Sequence, residues 1–401
     1  MTEFPHLSDI VVSTPSKIVL LVIDGLGGMP HPETGRSELE TARIPNLDAL
    51  AKKSVCGLLD PVLPGITPGS GPGHLALFGY DPVEDLVGRG VLETLGIDIE
   101  LRAGDLAARG NFCTVDPQGL ITDRRAGRIP TQESAHLCKA LNAIKLPGVE
   151  VFVHPVQDYR FALVLRGPGL NEAVSETDPQ RVGEPPLPAR PLVSEAASTA
   201  GLINSFIASA RKLLSGREYA NMVTLRGFSQ LQDLPSMGQL YKLKPAAIAY
   251  YPMYRGLART VGMTVLPTGP SLKDAAATLA DHVNDFDFFY VHYKAADSAG
   301  EDGDFARKVR ALEEADAAIP DLLALKPDVF AVTGDHSTPA VMVGHSWHPV
   351  PVALYTQGRP GDWVEAFSER ACSQGSLGRM PSRHLMLLLL ANAMKLIKFG
   401  A

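Results

Sequence analysis

The tightest constraint on the fold is a set of short, unbroken apolar runs that each end in polar residues. Asp328-Val-Phe-Ala-Val-Thr333 leads straight into Gly334-Asp335-His336-Ser337-Thr-Pro339. Ile18-Val-Leu-Leu-Val-Ile23 ends at Asp24-Gly-Leu-Gly-Gly28, and Asp287-Phe-Phe-Tyr-Val-His292 is followed by Lys294-Ala-Ala-Asp297. Runs of this length, rich in β-branched and aromatic residues and without polar alternation, predict strands buried on both faces, as in a parallel sheet. Open sheets of that kind place their sites outside the carboxyl ends of the strands. Asp24, Asp335 and His336 therefore stand at strand tips. An Asp-His pair with His345 nine positions on offers oxygen and imidazole ligands together, a mix that suits Mn²⁺, Zn²⁺ or a related divalent ion. Taken singly, each residue is equally a loop carboxylate, a helix cap or a core histidine.

Other segments add pieces. Pro45 opens a helix whose apolar face is Leu47, Leu50 and Ala51. Pro64-Gly-Ile-Thr-Pro-Gly-Ser70-Gly-Pro-Gly-His74 is a loop running into the apolar helix that begins Leu75-Ala-Leu. The start of that helix suits an anionic group, and Ser70 stands where a nucleophilic hydroxyl is useful. A plain connecting loop has the same composition. Asp297 and Glu301, four apart, are metal-ligand candidates or the acidic cap of the next helix, Phe305 to Leu325, whose stripe is Val309, Leu312, Ile319 and Leu322. The apolar run from Leu385 to Ala393 reads as a buried C-terminal helix, too short to span a bilayer.

The middle of the chain has a different texture. Asn111–Val115 and Leu120–Thr122 read as a hairpin, followed by Arg124, Arg125 and Arg128. Three arginines this close can fork onto carboxylate or phosphate, or form a solvated charged face. Val149–Val153 and Phe161–Leu165 read as paired strands, with His154 and Arg160 between them. A proline-rich excursion spans Thr177 to Pro191, and a helix spans Leu202 to Leu214. Short strands Met222–Leu225 and Ala246–Tyr250 lead to Arg226 and Arg255. These features predict an inserted α+β domain over residues 108–272, its arginines facing a discontinuous α/β domain of residues 1–107 and 273–401.

Composition narrows the function classes. Hydrophobic residues make up 45% of 401, enough for a sizeable core. A net charge of −7 argues against a general nucleic-acid binder. The four cysteines lack metal-binding or disulfide spacing, and the first residues lack a basic and an apolar signal region. Both point to a cytoplasmic protein with reduced thiols and no membrane attachment. No Gly-rich nucleotide fingerprint is present.

In order, Ile23-Asp-Gly-Leu-Gly, Ile44-Pro-Asn-Leu-Asp48, Pro68-Gly-Ser70 with His74, Gly79-Tyr-Asp-Pro82, Asp123-Arg-Arg-Ala-Gly-Arg-Ile129, Ser175-x-Thr-Asp-Pro179, Tyr254-Arg-Gly-Leu257, Gly334-Asp-His-Ser-Thr-Pro339, His345-Ser-Trp-His-Pro-Val-Pro351 and Gly375-Ser-Leu-Gly378 extend over nearly the whole chain. Together they resemble the cofactor-independent phosphoglycerate mutases of the archaeal type, within the alkaline phosphatase superfamily. The resemblance implies an alkaline-phosphatase-like, mostly parallel sheet flanked by helices, carrying a smaller inserted domain. It implies interconversion of 3- and 2-phosphoglycerate with Ser70 as nucleophile and without bisphosphoglycerate. Asp24, Ser70, Asp335 and His336 would hold one divalent metal ion, and Asp297, Glu301 and His345 a second. Manganese is the expected ion, with Mg²⁺, Zn²⁺ or Co²⁺ as substitutes. Arg124, Arg125, Arg128, Arg160, Arg226 and Arg255 would grip a small phosphorylated hydroxy acid. The sequence departs from the family at Gly71-Pro-Gly, where Asp-x-Ala is usual, and at Glu301, where the bacterial branch has His. Tyr159 stands where the family tends to have His, which leaves His154 as the acid–base candidate. Two rival readings use the same residues: a metal-dependent phosphohydrolase, and a phosphotransferase acting on another small phosphorylated metabolite. A third, from a different class, is a catalytically silent sensor of phosphometabolites.

Overall fold

A computed structural model describes residues 4–400. Among these residues the strands are β1 (Ile18–Ile23), β2 (Ser54–Asp60), β3 (Leu106–Val115), β4 (Ile121–Asp123), β5 (Glu150–Pro155), β6 (Arg160–Arg166), β7 (Met222–Gln230), β8 (Pro245–Ile248), β9 (Thr264–Leu266), β10 (Phe288–Tyr293), β11 (Val329–Thr333), β12 (Val350–Thr356) and β13 (Gly378–Pro381). The chain divides into two compact units. One runs to Leu86 and resumes at Leu234; the other is Val87–Asp233.

The first unit is an eight-stranded sheet in the order β13-β2-β12-β11-β1-β10-β8-β9. All pairings are parallel except those of β12, which runs against its two neighbours. The predicted mostly parallel α/β architecture is therefore present. Every residue of β1, β10 and β11 is buried, as unbroken apolar runs require. Each fully buried Leu, Ile, Val or Phe contributes about 1.5–3 kcal/mol relative to exposure, so these three strands anchor the unit. Their register decides where the polar tips go. Val22 pairs with His292 on one side and with Thr333 on the other. Asp24, Lys294 and Asp335 consequently leave the sheet at one level along its carboxyl edge. The helix Phe305–Ala324 covers one face through Leu312, Ile319 and Leu322, whereas Val309 is only half-buried. Leu385–Asn392 forms the buried C-terminal helix expected from its composition.

The second unit is a five-stranded antiparallel sheet. β3 is flanked by β6 and β7, β5 lies outside β6, and β4 pairs with the end of β3. The helices Thr131–Leu141 and Ala197–Leu214 contribute Leu137, Leu141, Ile203 and Phe206 to its core.

The boundaries differ from those expected. Residues 234–272, assigned to the insertion from sequence, contribute β8 and β9 to the large sheet. An apolar strand such as β8 does not carry the identity of its partner; only its parallel pairing with β10 reveals it. Residues 87–107, assigned to the first domain, belong to the second unit. There the helix Arg89–Gly96 packs on β3 closely enough that a Cβ on Gly90 would lie 2.3 Å from the Ala107 carbonyl oxygen. β7 also runs past its expected end, which puts Arg226 inside the strand.

Candidate metal and phosphoryl-transfer centre

Ser70 is the first residue of the helix Ser70–Leu77, not a member of the preceding loop. Pro72 is tolerated there because first-turn N–H groups have no intrahelical acceptor. Gly73 is required by close approach, since a Cβ at that position would lie 2.2 Å from the Asp335 carbonyl oxygen. The helix N-terminus, with its dipole and free N–H groups, is thereby held against the tip of β11.

The His336 imidazole lies at the centre of the site. Its Nε2 is 3.2 Å from Ser70 Oγ, 3.1 Å from Asp335 Oδ2, 3.4 Å from Asp24 Oδ1 and 4.0 Å from Asp297 Oδ1. His345 stacks on it with ring centroids 3.7 Å apart. His345 Nε2 lies 3.4 Å from Asp297 Oδ1 and 3.6 Å from Glu301 Oε1, while its Nδ1 is held at 2.9 Å by the Pro68 carbonyl. Two ligand-like groupings result: Asp24, Asp335 and His336, with Ser70 beside them, and Asp297, His336 and His345. Glu301 lies at the rim with its side chain 55% exposed.

Asp24, Asp297 and Asp335 are all fully buried. Burial and Asp335 push the Asp24 carboxyl up, but Lys294, His292 and His336 outweigh them and hold it below the usual carboxylate range. Burial also works against ionisation of Asp335, and His336 and His74 overcome it. At His345 burial favours the neutral ring, yet Asp297, Glu301 and the Pro68 carbonyl push its pKa up to about 10. A buried set this anionic calls for cations. Asp24 Oδ1 and Asp335 Oδ2 accept no hydrogen bond of good geometry, although the latter lies 3.1 Å from both His74 Nδ1 and His336 Nε2. Three carboxylates, two imidazoles and a hydroxyl, with two carboxylate oxygens unsatisfied, fit divalent metal ions that take oxygen and nitrogen ligands.

Several residues were missed as site members in the sequence. Lys294 Nζ is 3.1 Å from Asp24 Oδ2, donates to Asp297 Oδ2, and donates to the Tyr254 hydroxyl at 3.0 Å. Tyr254 stacks on His292, whose Nε2 is 3.1 Å from Asp24 Oδ2. His74 Nδ1 is 2.8 Å from the Ser70 carbonyl oxygen. The signals were there: Lys294 falls three residues before Asp297, and His74 shares a helix face with Ser70 at i,i+4. A cavity of about 450 Å³, lined in part by Tyr251, His292, Lys294 and Arg310, adjoins this side of the cluster. Lys294→Met should lower turnover by about 10²–10³-fold, the scale for losing one charged stabilising group. Metal content should stay at or above the wild-type level, because a competing cation has gone. Turnover of the purified variant and atomic absorption on the same sample check this; full turnover would reduce Lys294 to local charge balance.

The second unit holds all of the remaining candidates except Arg255. Arg124 forks onto Asp178 at 2.9 and 3.3 Å, and Arg226 reaches Glu176 at 3.1 Å and Asp178 at 4.0 Å. Both thus converge on the Ser175–Pro179 stretch. Arg125 and Arg128 are exposed in a turn capped by Asp123, with Arg128 at φ 55°. Arg160 begins β6 and lies over the Tyr159 ring. His154, on β5, is half-buried, which biases it toward the neutral form. Arg255 belongs to the first unit, on the helix Pro252–Thr260 beside Tyr254.

Comparison with known proteins adds an independent line. Residues 51–220 match the family model described as 2,3-bisphosphoglycerate-independent phosphoglycerate mutase. A Thermus thermophilus protein named "Probable 2,3-bisphosphoglycerate-independent phosphoglycerate mutase" is 50% identical over 406 aligned residues, covering all of both chains. An Aquifex aeolicus protein of the same name is 47% identical, covering 98% of this chain and 99% of that one. Among solved structures, the PH0037 protein from Pyrococcus horikoshii matches with a TM-score of 0.84 at 27% identity, covering 97% of this chain and 100% of its own. A cofactor-independent phosphoglycerate mutase from Thermoplasma acidophilum matches with a TM-score of 0.70 at 31% identity, covering 94% and 100%.

Proposed function

The chain belongs to the 2,3-bisphosphoglycerate-independent phosphoglycerate mutase family, and from that premise we propose that it interconverts 3-phosphoglycerate and 2-phosphoglycerate through a phosphorylated Ser70. The observation that carries this reading is Ser70 Oγ, at a helix N-terminus, 3.2 Å from His336 Nε2 within a ring of three buried aspartates. A serine hydroxyl is a poor nucleophile unless its ionised form is favoured. Asp24, Ser70, Asp335 and His336 would hold one divalent cation and Asp297, Glu301 and His345 a second, and such ions would supply the positive charge that favours the ionised hydroxyl and polarises a phosphoryl group. Manganese is the ion we assign, since a carboxylate-rich set with two imidazoles suits it.

In the forward direction Ser70 Oγ attacks phosphorus, the Oγ–P bond forms, and the bond from phosphorus to the C3 oxygen breaks. That oxygen takes a proton. The C2 hydroxyl then loses its proton and attacks phosphorus, which releases Ser70. We assign the proton exchange to His154: its imidazolium gives a proton to the C3 oxygen, and the neutral ring, which burial favours, then takes the proton of the C2 hydroxyl. Carboxylate and phosphate recognition falls to Arg124, Arg125, Arg128, Arg160, Arg226 and Arg255. The fork of Arg124 on Asp178 illustrates the bidentate geometry such recognition uses. We also assign the protein to the cytoplasm, a reading supported by its four free, buried cysteines. No helix among the described residues is long and apolar enough to cross a membrane.

The test is an assay with 3-phosphoglycerate and Mn²⁺, without bisphosphoglycerate, following 2-phosphoglycerate and free phosphate together. Isomer formation without matching phosphate release is expected. Phosphate alone would make the enzyme a phosphohydrolase.

A further inference from the structure

Among the charged side chains buried wholly inside the first unit with no part in the chemistry above, Lys308 lies nearest the segments that carry the site. Lys308, on the helix Phe305–Ala324, is 0% exposed. Its ammonium donates to the Gly27 carbonyl at 2.8 Å and to the Thr338 carbonyl at 2.8 Å, with Glu38 Oε1 at 3.8 Å. Those carbonyls belong to the two segments that follow β1 and β11, the segments that begin with Asp24 and with Asp335-His336. The surrounding carboxylates tie the same segments. Glu38 accepts from the Ala340 and Met29 N–H groups, and Glu369 accepts from Gly28 N–H.

Thr338 carries the effect into the site. Its hydroxyl is 2.8 Å from Asp297 Oδ1 and 2.9 Å from His336 Nδ1. The hydroxyl has one proton, and the carboxylate has none to give, so the proton goes to Asp297. Thr338 Oγ1 must then accept from His336 Nδ1–H. That fixes the tautomer and leaves the Nε2 lone pair directed at Ser70, Asp24 and Asp335, as a metal-ligating imidazole requires. The Thr338 carbonyl also faces the Asp297-bearing helix Ala295–Glu301, where a Cβ on Gly300 would lie 2.2 Å from that oxygen.

We propose that Lys308 is a positioning residue for the metal centre: by tying the Gly27 and Thr338 carbonyls together from within the core, it sets the spacing of the aspartates and the tautomer of His336. This inference rests on reading the site as a divalent-metal centre.

Its test is Mn²⁺ binding to metal-stripped protein, followed by the electron paramagnetic resonance signal of free Mn²⁺. The apoprotein melting temperature is measured in parallel. Lys308→Met should raise the Mn²⁺ dissociation constant by about 10–100-fold, the range for losing a group that orients metal ligands. It also strands Glu38, so the Glu38→Gln/Lys308→Met pair is the second variant. That pair should recover much of the lost melting temperature, because Glu38, the carboxylate nearest the lost ammonium, is then neutral, while Mn²⁺ affinity stays weak. A purely structural lysine would lower the melting temperature and leave the affinity of the folded protein unchanged. Wild-type Mn²⁺ affinity in either folded variant overturns the role of Lys308 alone. No Mn²⁺ binding by the wild-type chain overturns the metal-centre reading, and the positioning role with it.

Discussion

Ser70→Ala is expected to lower isomerisation by at least about 10⁴-fold, as loss of a nucleophile does when no neighbouring group replaces it. Ser70 Oγ stands 3.2 Å from His336 Nε2, whereas the Thr338 hydroxyl lies on the other side of that ring, at Nδ1. The helix that presents Ser70 is held by contact of Gly73 with the Asp335 backbone. The substitution should leave the fold nearly untouched. Alanine is a good helix former, and the change removes one oxygen from a residue already 8% exposed. The discriminating pair of measurements is 2-phosphoglycerate formation and melting temperature. Wild-type enzyme quenched during turnover should also carry a phosphoryl group on the peptide containing Ser70, and the variant should not. A variant that turns over within about tenfold of wild type would exclude the covalent route altogether.

Stripping divalent metal is expected to abolish turnover, and adding Mn²⁺ back should restore it. Asp24, Asp297 and Asp335 are buried together, and the Lys294 ammonium faces two of them. Without metal, the ionised serine oxygen would form beside three carboxylates that the single Lys294 charge does not neutralise, and the phosphoryl oxygens would meet the same repulsion. Stability gives a second readout. An ion that binds only the folded chain stabilises it by about 2.7 kcal/mol at a hundredfold excess over its dissociation constant. Mn²⁺ should therefore raise the melting temperature of the stripped protein, and do so less in Asp335→Asn. Unchanged turnover in protein verified as metal-free would rule out the metal-assisted mechanism.

Much of the site was legible because its residues sit at the ends of strands that announce themselves. The run Ile18–Ile23 coincides with β1, and Val329–Thr333 with β11, so Asp24, Asp335 and His336 could be placed at one sheet edge from spacing alone. Lys294 and Tyr254 were harder to find. Lysine and tyrosine are ordinary at strand and helix ends, and only packing brings the Lys294 ammonium between Asp24 and Asp297. Lys308 was invisible for a sharper reason. A lysine in an amphipathic helix reads as a solvent-facing residue, and this one points inward because two backbone carbonyls await it there.

Local pattern was enough to specify the parallel-sheet class, the strand tips and the chemistry delivered there, because apolar runs must be buried and polar termini must leave the sheet. Which strands are neighbours was settled by packing, and with it the membership of β8 and β9 in the large sheet and not the insertion. Packing also placed His336 Nε2 among Ser70, Asp24 and Asp335 and within 4.0 Å of Asp297. Strand pairing and side-chain convergence depend on contacts between residues tens to hundreds of positions apart, and no local pattern encodes those.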